Sequence, residues 1–442
     1  MFKPMPAIAA MNSYRSARSL IPTSVRLDGN EGRLPPAEVL DSVSQAGPEL
    51  LRRYPSKAKL EAALGEQVGV PGANVIVTNG ADDALDRVAR AYVGAGRSLV
   101  TAGPTFEMIE RYVNIAGGAY EEVPWWKAPF PLEALSAAVR EDTSVVAVVT
   151  PNNPTGLAAS ADEVRSVIER FSDRVCLIDL AYAEFATEDL TPMLLRYDNV
   201  VVTRTLSKAW SLAGARVGYA IAGNQEIIDH LRNAGGPYPV GGPSLAVAEA
   251  WLAAGLDHVE DSRTVVFAER DALSALLEEL GAQPFPSEAN YVCARFHDVQ
   301  WVYDVLASVG IAIRAFVDKP KLSDCARVTC PQDEAIMNRA HNALRAALAP
   351  EGIVVQEALA SDLDLEELRS AGIPVQVDHT PPTGKPMWWL ARFGFELARA
   401  RDVPSFAFGL AQDEAQRAGA ARSFSDLEAV RTAWQSAHRR SR

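Results

Sequence analysis

Between residues 75 and 221 the chain alternates short runs of branched apolar residues with amphipathic stretches of helical period. The β runs are Val75–Thr78, Ser98–Thr101, Ala119–Val123, Val145–Thr150, Val175–Leu180, Asn199–Leu206 and Val217–Ile221. Because most of them are largely apolar rather than alternating with polar residues, they suit strands buried on both faces. Intervening stretches such as Ala161–Phe171 then suit crossover helices. This pattern predicts an α/β fold with a mostly parallel central sheet and helices on both of its faces. Ligands of such sheets bind outside the carboxyl ends of the strands, so the residues that close each apolar run are the first to inspect.

The flanking regions read differently. Residues 1–25 form a proline-punctuated arm with a short helix expected around Ser13–Leu20, and Arg26–Gly32 is turn-rich. A helix is expected from Pro35 to Arg52, and another over Lys57–Val68. After the glycine- and proline-rich Gly235–Pro243, a helical pattern runs over Ser244–Leu280 with a break near Gly255. Strands follow at Tyr291–Phe296 and Ala326–Thr329, then a helix over Asp333–Leu348. With 442 residues more than one domain is expected. The predicted limits are an arm at 1–25, a large domain at 26–245 whose residues 26–50 pack with a small domain, that small α+β domain at 246–350, and a C-terminal α/β appendage at 351–442.

Composition narrows the function classes. The net charge is −13; nucleic acid and anionic membrane surfaces favour basic partners, so neither is expected here. Four cysteines (Cys176, Cys293, Cys325, Cys330) and six histidines show no metal spacing, and the cysteines read as buried free thiols, so no metal is expected. Pro4 and Pro6 break the N-terminus, which makes a poor signal peptide, and no apolar run is long enough to span a membrane; a cytoplasmic location is expected.

The strand ends carry a coherent set of polar groups. Lys208 closes Arg204-Thr205-Leu206-Ser207-Lys208 after an apolar run. Burial lowers a lysine's pKa, and a partly neutral amine can form a Schiff base with an aldehyde such as pyridoxal phosphate. Read alone, the pentapeptide is equally consistent with a solvated lysine. The cofactor also needs a phosphate cradle, a carboxylate for its pyridine nitrogen and an aromatic neighbour. Gly80-Ala81-Asp82 is a glycine turn between strand and helix, suited to an anion, and Thr205, Ser207 and Arg216 can add hydroxyls and a cation. Asp179 ends its own apolar run. Asn153, Tyr182 and Phe106 each follow a β run and are candidates for the ring and its phenolic oxygen. Singly, an aspartate there is as readily a helix cap, and an aromatic as readily core.

Asn153-Pro154-Thr155-Gly156, Asp179-Leu180-Ala181-Tyr182, and Ser207-Lys208 with Arg216 together resemble the fold-type I, pyridoxal-phosphate-dependent aminotransferases of classes I and II, and most of all their histidinol-phosphate aminotransferase branch. The resemblance covers residues 25–348. It implies that Lys208 is the Schiff-base lysine and proton shuttle, that Asp179 holds the pyridine nitrogen, and that Asn153 and Tyr182 contact the phenolate. By the same resemblance Phe106 stacks on the ring, while Gly80, Ala81, Asp82, Thr205, Ser207 and Arg216 hold the phosphate. It further implies that Arg327 fixes a substrate carboxylate, that Arg314 and Asn30 contribute to substrate binding, and that Tyr54 reaches into a partner's site in a homodimer. The implied substrates are an amino donor of the histidinol-phosphate type and a 2-oxo acid such as 2-oxoglutarate. Three departures bear on the substrate: Asn30-Glu31-Gly32-Arg33 replaces an Asn-Glu-Asn-Pro type loop, Leu180 stands where an acidic residue is common, and Val328-Thr329-Cys330-Pro331 follows Arg327 where glycine is usual.

Residues 353–442 lie outside that resemblance. Leu368–Val377, Lys385-Pro386 and Phe406-Ala407-Phe408-Gly409 faintly resemble the carboxyl half of a haloacid-dehalogenase-like phosphatase, with Asp362-Leu363-Asp364 the nearby Asp-x-Asp. A degenerate accessory domain is expected there, with Trp388 and Trp389 as core or interface aromatics. Two alternatives stand beside the aminotransferase: a decarboxylase of a phosphorylated amino acid using the same cofactor, and a non-catalytic cofactor-binding scaffold.

Overall fold

The structure, a computed structural model, describes residues 2, 4–13 and 20–438. Of the helix expected around Ser13–Leu20, residues 14–19 lie outside the described residues. The contacts divide the chain into two compact units: Met1–Tyr14, Glu31–Phe267 and Pro286–Asn290 make the first, and Arg15–Asn30, Ala268–Phe285 and Tyr291–Arg442 the second. The division falls inside the helix Leu256–Glu279, whose amino end belongs to one unit and carboxyl end to the other.

In the first unit seven strands form one sheet in the order Val75–Asn79, Val217–Ile221, Val200–Thr205, Val175–Asp179, Thr143–Val149, Ser98–Gly103, Ala119–Pro124. Only Val217–Ile221 runs antiparallel to its neighbours. Period-two geometry sends alternate residues to opposite faces. Val146, Val148, Ile178, Val200 and Val202 accordingly enter one apolar cluster, and Val145, Ala147, Val149, Leu177 and Val201 the other. Both faces of the central strands are therefore buried, which is why runs such as Val145–Val149 and Val175–Ile178 read as apolar sequence, whereas the edge strand Ala119–Pro124 carries Glu121 and Glu122 and is mostly not buried. The crossover helix Ala161–Arg170 begins at a capping box, in which Ser160 accepts from the Glu163 N–H and Glu163 accepts from the Ser160 N–H. Sheet order brings the carboxyl ends at Gly103, Val149, Asp179 and Thr205 to one edge.

The second unit holds two five-stranded sheets. One is ordered Val25–Leu27, Ile311–Ala315, Cys325–Thr329, Tyr291–Arg295, Gln283–Pro284. The other, ordered Val375–Asp378, Gly352–Gln356, Met387–Ala391, Ser405–Phe408, Ser423–Phe424, is parallel throughout. A single apolar cluster runs through both sheets, from Leu27 and Val328 to Ile353, Trp388, Phe406 and Trp434. Residues 351–438 thus share a core with the small sheet. Trp301 and Trp388 meet with ring centroids 5.3 Å apart, and their indole N–H groups donate to the Ala347 and Ala346 carbonyls. Those partners let tryptophan be buried without an orphaned donor. All four cysteines are buried and free, and among the described residues no helix is long and apolar enough to cross a membrane.

Candidate active site

Asp179 ends its strand in the interior, 3% exposed. Its Oδ1 accepts from the Thr203 hydroxyl at 2.9 Å and from the Ala181 N–H at 3.2 Å. Neither donor is charged, so burial dominates and pushes the carboxyl up to about 6, against the pull of those two bonds. Both bonds fall on Oδ1, so the other oxygen is left to take a donor of its own. A cationic N–H such as a pyridinium would compensate the buried charge.

Lys208 is half-buried at the same edge, with Nζ 5.7 Å from the centroid of the Tyr182 ring. The Asn153 amide donates to the Tyr182 hydroxyl at 3.4 Å. Tyr182 is itself buried. A lysine, a phenol, an amide and a buried carboxylate thus stand at one sheet edge, brought there by three strand ends, since Asp179 and Tyr182 both follow the strand Val175–Asp179. Phe106 is half-buried and N-caps the helix Glu107–Ala116, packed against the apolar cluster of Ile109 and Val113.

The anion cradle lies at the amino end of the helix Gly80–Tyr92, whose first N–H groups have no partners within the helix. Gly80 has φ +71, and a Cβ there would stand 2.5 Å from Arg216 Nη2. A Cβ on Gly218 would stand 2.4 Å from the Ala81 nitrogen, so glycine at both positions lets backbone and guanidinium close in. Arg216 adopts φ +54 and meets Asp82 Oδ2 at 3.2 Å. Burial pushes the Asp82 carboxyl up while Arg216 and Lys208 pull it back. The Thr205 hydroxyl donates to Ser207 Oγ at 2.8 Å, and both residues are buried. Free N–H groups, two hydroxyls and a guanidinium are the donor set a phosphate monoester needs.

Arg327, Arg314, Asn30 and Tyr54 are carried by other elements. Arg327 and Arg314 are directly opposed on neighbouring strands of the second unit. Arg327 is buried, donates to the Asp28 carbonyl at 2.7 Å and lies 5.1 Å over the Tyr291 ring. Buried Asn30, at φ +52, donates through its N–H to Thr329 Oγ1 at 3.1 Å, which ties the Asp28–Asn30 turn to the Arg327 strand. Tyr54 is 82% exposed and stacks on Tyr238, centroids 4.6 Å apart.

Several supporting residues escaped the sequence reading. Asn152, fully buried, donates to the Pro104 carbonyl and to Thr155 Oγ1 and accepts from the Thr105 hydroxyl, so it joins the Phe106 and Asn153 loops. Its place beside Asn153 was the available signal. Thr203 is found only through strand register, as the direct partner of Asp179. In the C-terminal sheet, Asp362 pairs with Arg392 and Asp364 caps a helix, so both aspartates of that Asp-x-Asp have structural partners.

Residues 22–344 match the family model described as aminotransferase class I and II. The chain belongs to that family and is a pyridoxal-phosphate-dependent aminotransferase of fold type I. Among its relatives, histidinol-phosphate aminotransferase 1 of Bradyrhizobium diazoefficiens is 33% identical over 324 residues, which is 70% of this chain and 89% of that protein. The histidinol-phosphate aminotransferase of Chlorobaculum tepidum is 31% identical over 333 residues, covering 73% of this chain and 94% of that protein. The crystal structure of histidinol-phosphate aminotransferase from Sinorhizobium meliloti in complex with pyridoxal-5'-phosphate aligns with TM-score 0.69 at 27% identity, over 78% of this chain and 98% of that one.

Proposed function

We propose that the chain moves an amino group from a donor of the histidinol-phosphate type to a 2-oxo acid such as 2-oxoglutarate, with Lys208 as the lysine that holds the cofactor. The observation that carries this reading is the convergence of Lys208, Asp179, Asn153 and Tyr182 at one sheet edge, together with kinship to histidinol-phosphate aminotransferases. Bound pyridoxal phosphate supplies an electrophilic aldehyde and an electron sink. Asp179 keeps a pyridine nitrogen protonated, and its own buried charge is relieved in return. Asn153 and Tyr182 hold the phenolic oxygen, and Phe106 covers the ring. Gly80, Ala81, Asp82, Thr205, Ser207 and Arg216 hold the phosphate. Nζ of Lys208 takes the proton from the substrate α-carbon and returns it.

Arg327 is the fork for a substrate carboxylate, and Arg314, opposite it, with Asn30 adds affinity for an anionic donor. The active form is a cytoplasmic homodimer to which Tyr54 contributes across the interface. Leu34, Leu51 and Tyr54, 92%, 79% and 82% exposed in the single chain, are the apolar surface such an interface would cover. Residues 351–442 act as an accessory domain.

The test is an absorbance titration of the purified holoenzyme with histidinol phosphate, glutamate and a small amino-acid panel. Conversion of the cofactor band to that of its amine form by histidinol phosphate is the expected result, and Lys208→Ala abolishes turnover. Release of CO2 in place of that conversion would identify a decarboxylase, and a protein without any cofactor band would sink the reading.

A further inference from the structure

The turn that carries Lys208 is held by residues that the chemistry above does not use. Three positions after the lysine, Ser211 has φ +59, a left-handed conformation that is strained for a non-glycine residue. Its N–H closes the turn on the Lys208 carbonyl at 3.0 Å. Its Oγ lies 3.1 Å from Nε2 of His258, in the first turn of the helix Leu256–Glu279. The Gly32 backbone fits against the same place: a Cβ there would stand 2.4 Å from the Lys208 carbonyl oxygen and 2.5 Å from Ser211 Oγ. The departure noted at Asn30-Glu31-Gly32-Arg33 thus has a physical partner, because the serine hydroxyl occupies space that a side chain at residue 32 would need.

His258 is itself confined. The edge of the Trp251 ring packs on it, with centroids 5.1 Å apart. Arg33 donates to its carbonyl at 3.2 Å and reaches Asp261 at 3.5 Å. Burial, then the Arg33 charge, hold the imidazole pKa below its ordinary value of 6.5, with Asp261 opposing. At neutral pH the ring is therefore uncharged and offers one donor and one acceptor; protonation would make both nitrogens donors beside a cation.

We propose that His258 is a positioning residue for the aminotransferase reaction: through Ser211 it sets the turn that aims Lys208, and it does so in its neutral form. The proposal rests on Lys208 being the cofactor lysine. It predicts an acid limb below about pH 6.5 in which the enzyme loses turnover while retaining substrate affinity.

The experiment compares Ser211→Gly, His258→Leu and His258→Gln with wild type. The readouts are kcat and KM against pH, the pH midpoint of the cofactor's visible band, and hydrogen exchange of the Ser211-region amides in cofactor-free protein. Ser211→Gly keeps the left-handed backbone without strain and removes the side chain, hydroxyl included, so it carries the test should His258→Leu fail to fold. Both are expected to lower kcat about tenfold at pH 8 with KM nearly unchanged, and to move the band midpoint by about half a unit or more. Faster exchange in the turn should accompany these changes. His258→Gln keeps a hydrogen bond but cannot ionise, so it should restore kcat at pH 8 and lack the wild-type acid limb. An unmoved midpoint and unchanged exchange in both Ser211→Gly and His258→Leu would overturn the proposal, as would an acid limb persisting in His258→Gln. Failure of the underlying assignment looks different: wild type would then show no lysine-bound band at all.

Discussion

In its proposed role as the pyridine-nitrogen partner, Asp179 would link cofactor binding to stability through one buried charge. Its carboxyl pKa is pushed up to about 6 from an ordinary 3.8. Between those values the folded, cofactor-free chain keeps a proton that the unfolded chain has released, so stability falls as pH rises through that window and stays lower above it. The loss is on the order of 3 kcal/mol. Asp179→Asn should therefore leave the cofactor-free protein more stable than wild type at pH 8, flatten its stability between pH 4 and 6, and weaken pyridoxal phosphate binding. Melting curves of both proteins at pH 5 and pH 8, with and without cofactor, check this; a cofactor-free Asn variant less stable than wild type at pH 8 would contradict it. In the proposed role of Arg327 as the fork for a substrate carboxylate, planar geometry counts for more than charge. Arg327→Lys is expected to raise KM for the carboxylate substrate by about tenfold or more, with a smaller effect on kcat, as steady-state kinetics will show.

At the level of elements, the proposed phosphate cradle depends on two backbones approaching without a side chain between them. Gly218 lies on the antiparallel strand Val217–Ile221 beside the start of the helix Gly80–Tyr92. Gly218→Ala would drive a methyl group to 2.4 Å from the Ala81 nitrogen, so helix or strand must shift. Such overpacking costs about 1–3 kcal/mol. The shift falls on the N–H groups assigned to the phosphate, so the expected outcome is a folded protein with weakened cofactor affinity, measured by equilibrium dialysis. The glycine turn at residue 80 could be read from sequence because strand, glycine and helix are consecutive. The role of Gly218 could not, because it arises only when distant segments pair as Asn79 with Val217 and Thr78 with Gly218.

For the molecule as a whole, the consequential finding is that one face of the C-terminal sheet shares its core with the small sheet, while Val354, Trp389, Phe395 and Ala407 form a second cluster belonging to the C-terminal sheet alone. Trp388 is 1% exposed among Trp301, Phe406 and Trp434, and the cluster continues into the small sheet. Trp388→Ala is expected to destabilise the protein by about 3–5 kcal/mol in a denaturant melt. A chain ending before Gly352 would uncover Trp301 and should lose the soluble fold, as sedimentation and circular dichroism would reveal.

The large sheet, its buried strands and the residues at their carboxyl ends were determined by the sequence alone, because each strand's apolar run and its terminal Asp179, Asn153 or Lys208 are contiguous and carry a local period. The helix Gly242–Ala254 and its successor Leu256–Glu279, broken at Gly255, were equally apparent. Sequence adjacency could not reveal which distant groups meet: Thr203 against Asp179, Arg314 opposite Arg327, His258 on Ser211, and Trp388 on Trp301. Those pairings are set by strand register and by the burial of side chains far apart in the chain, and only the tertiary structure decides them.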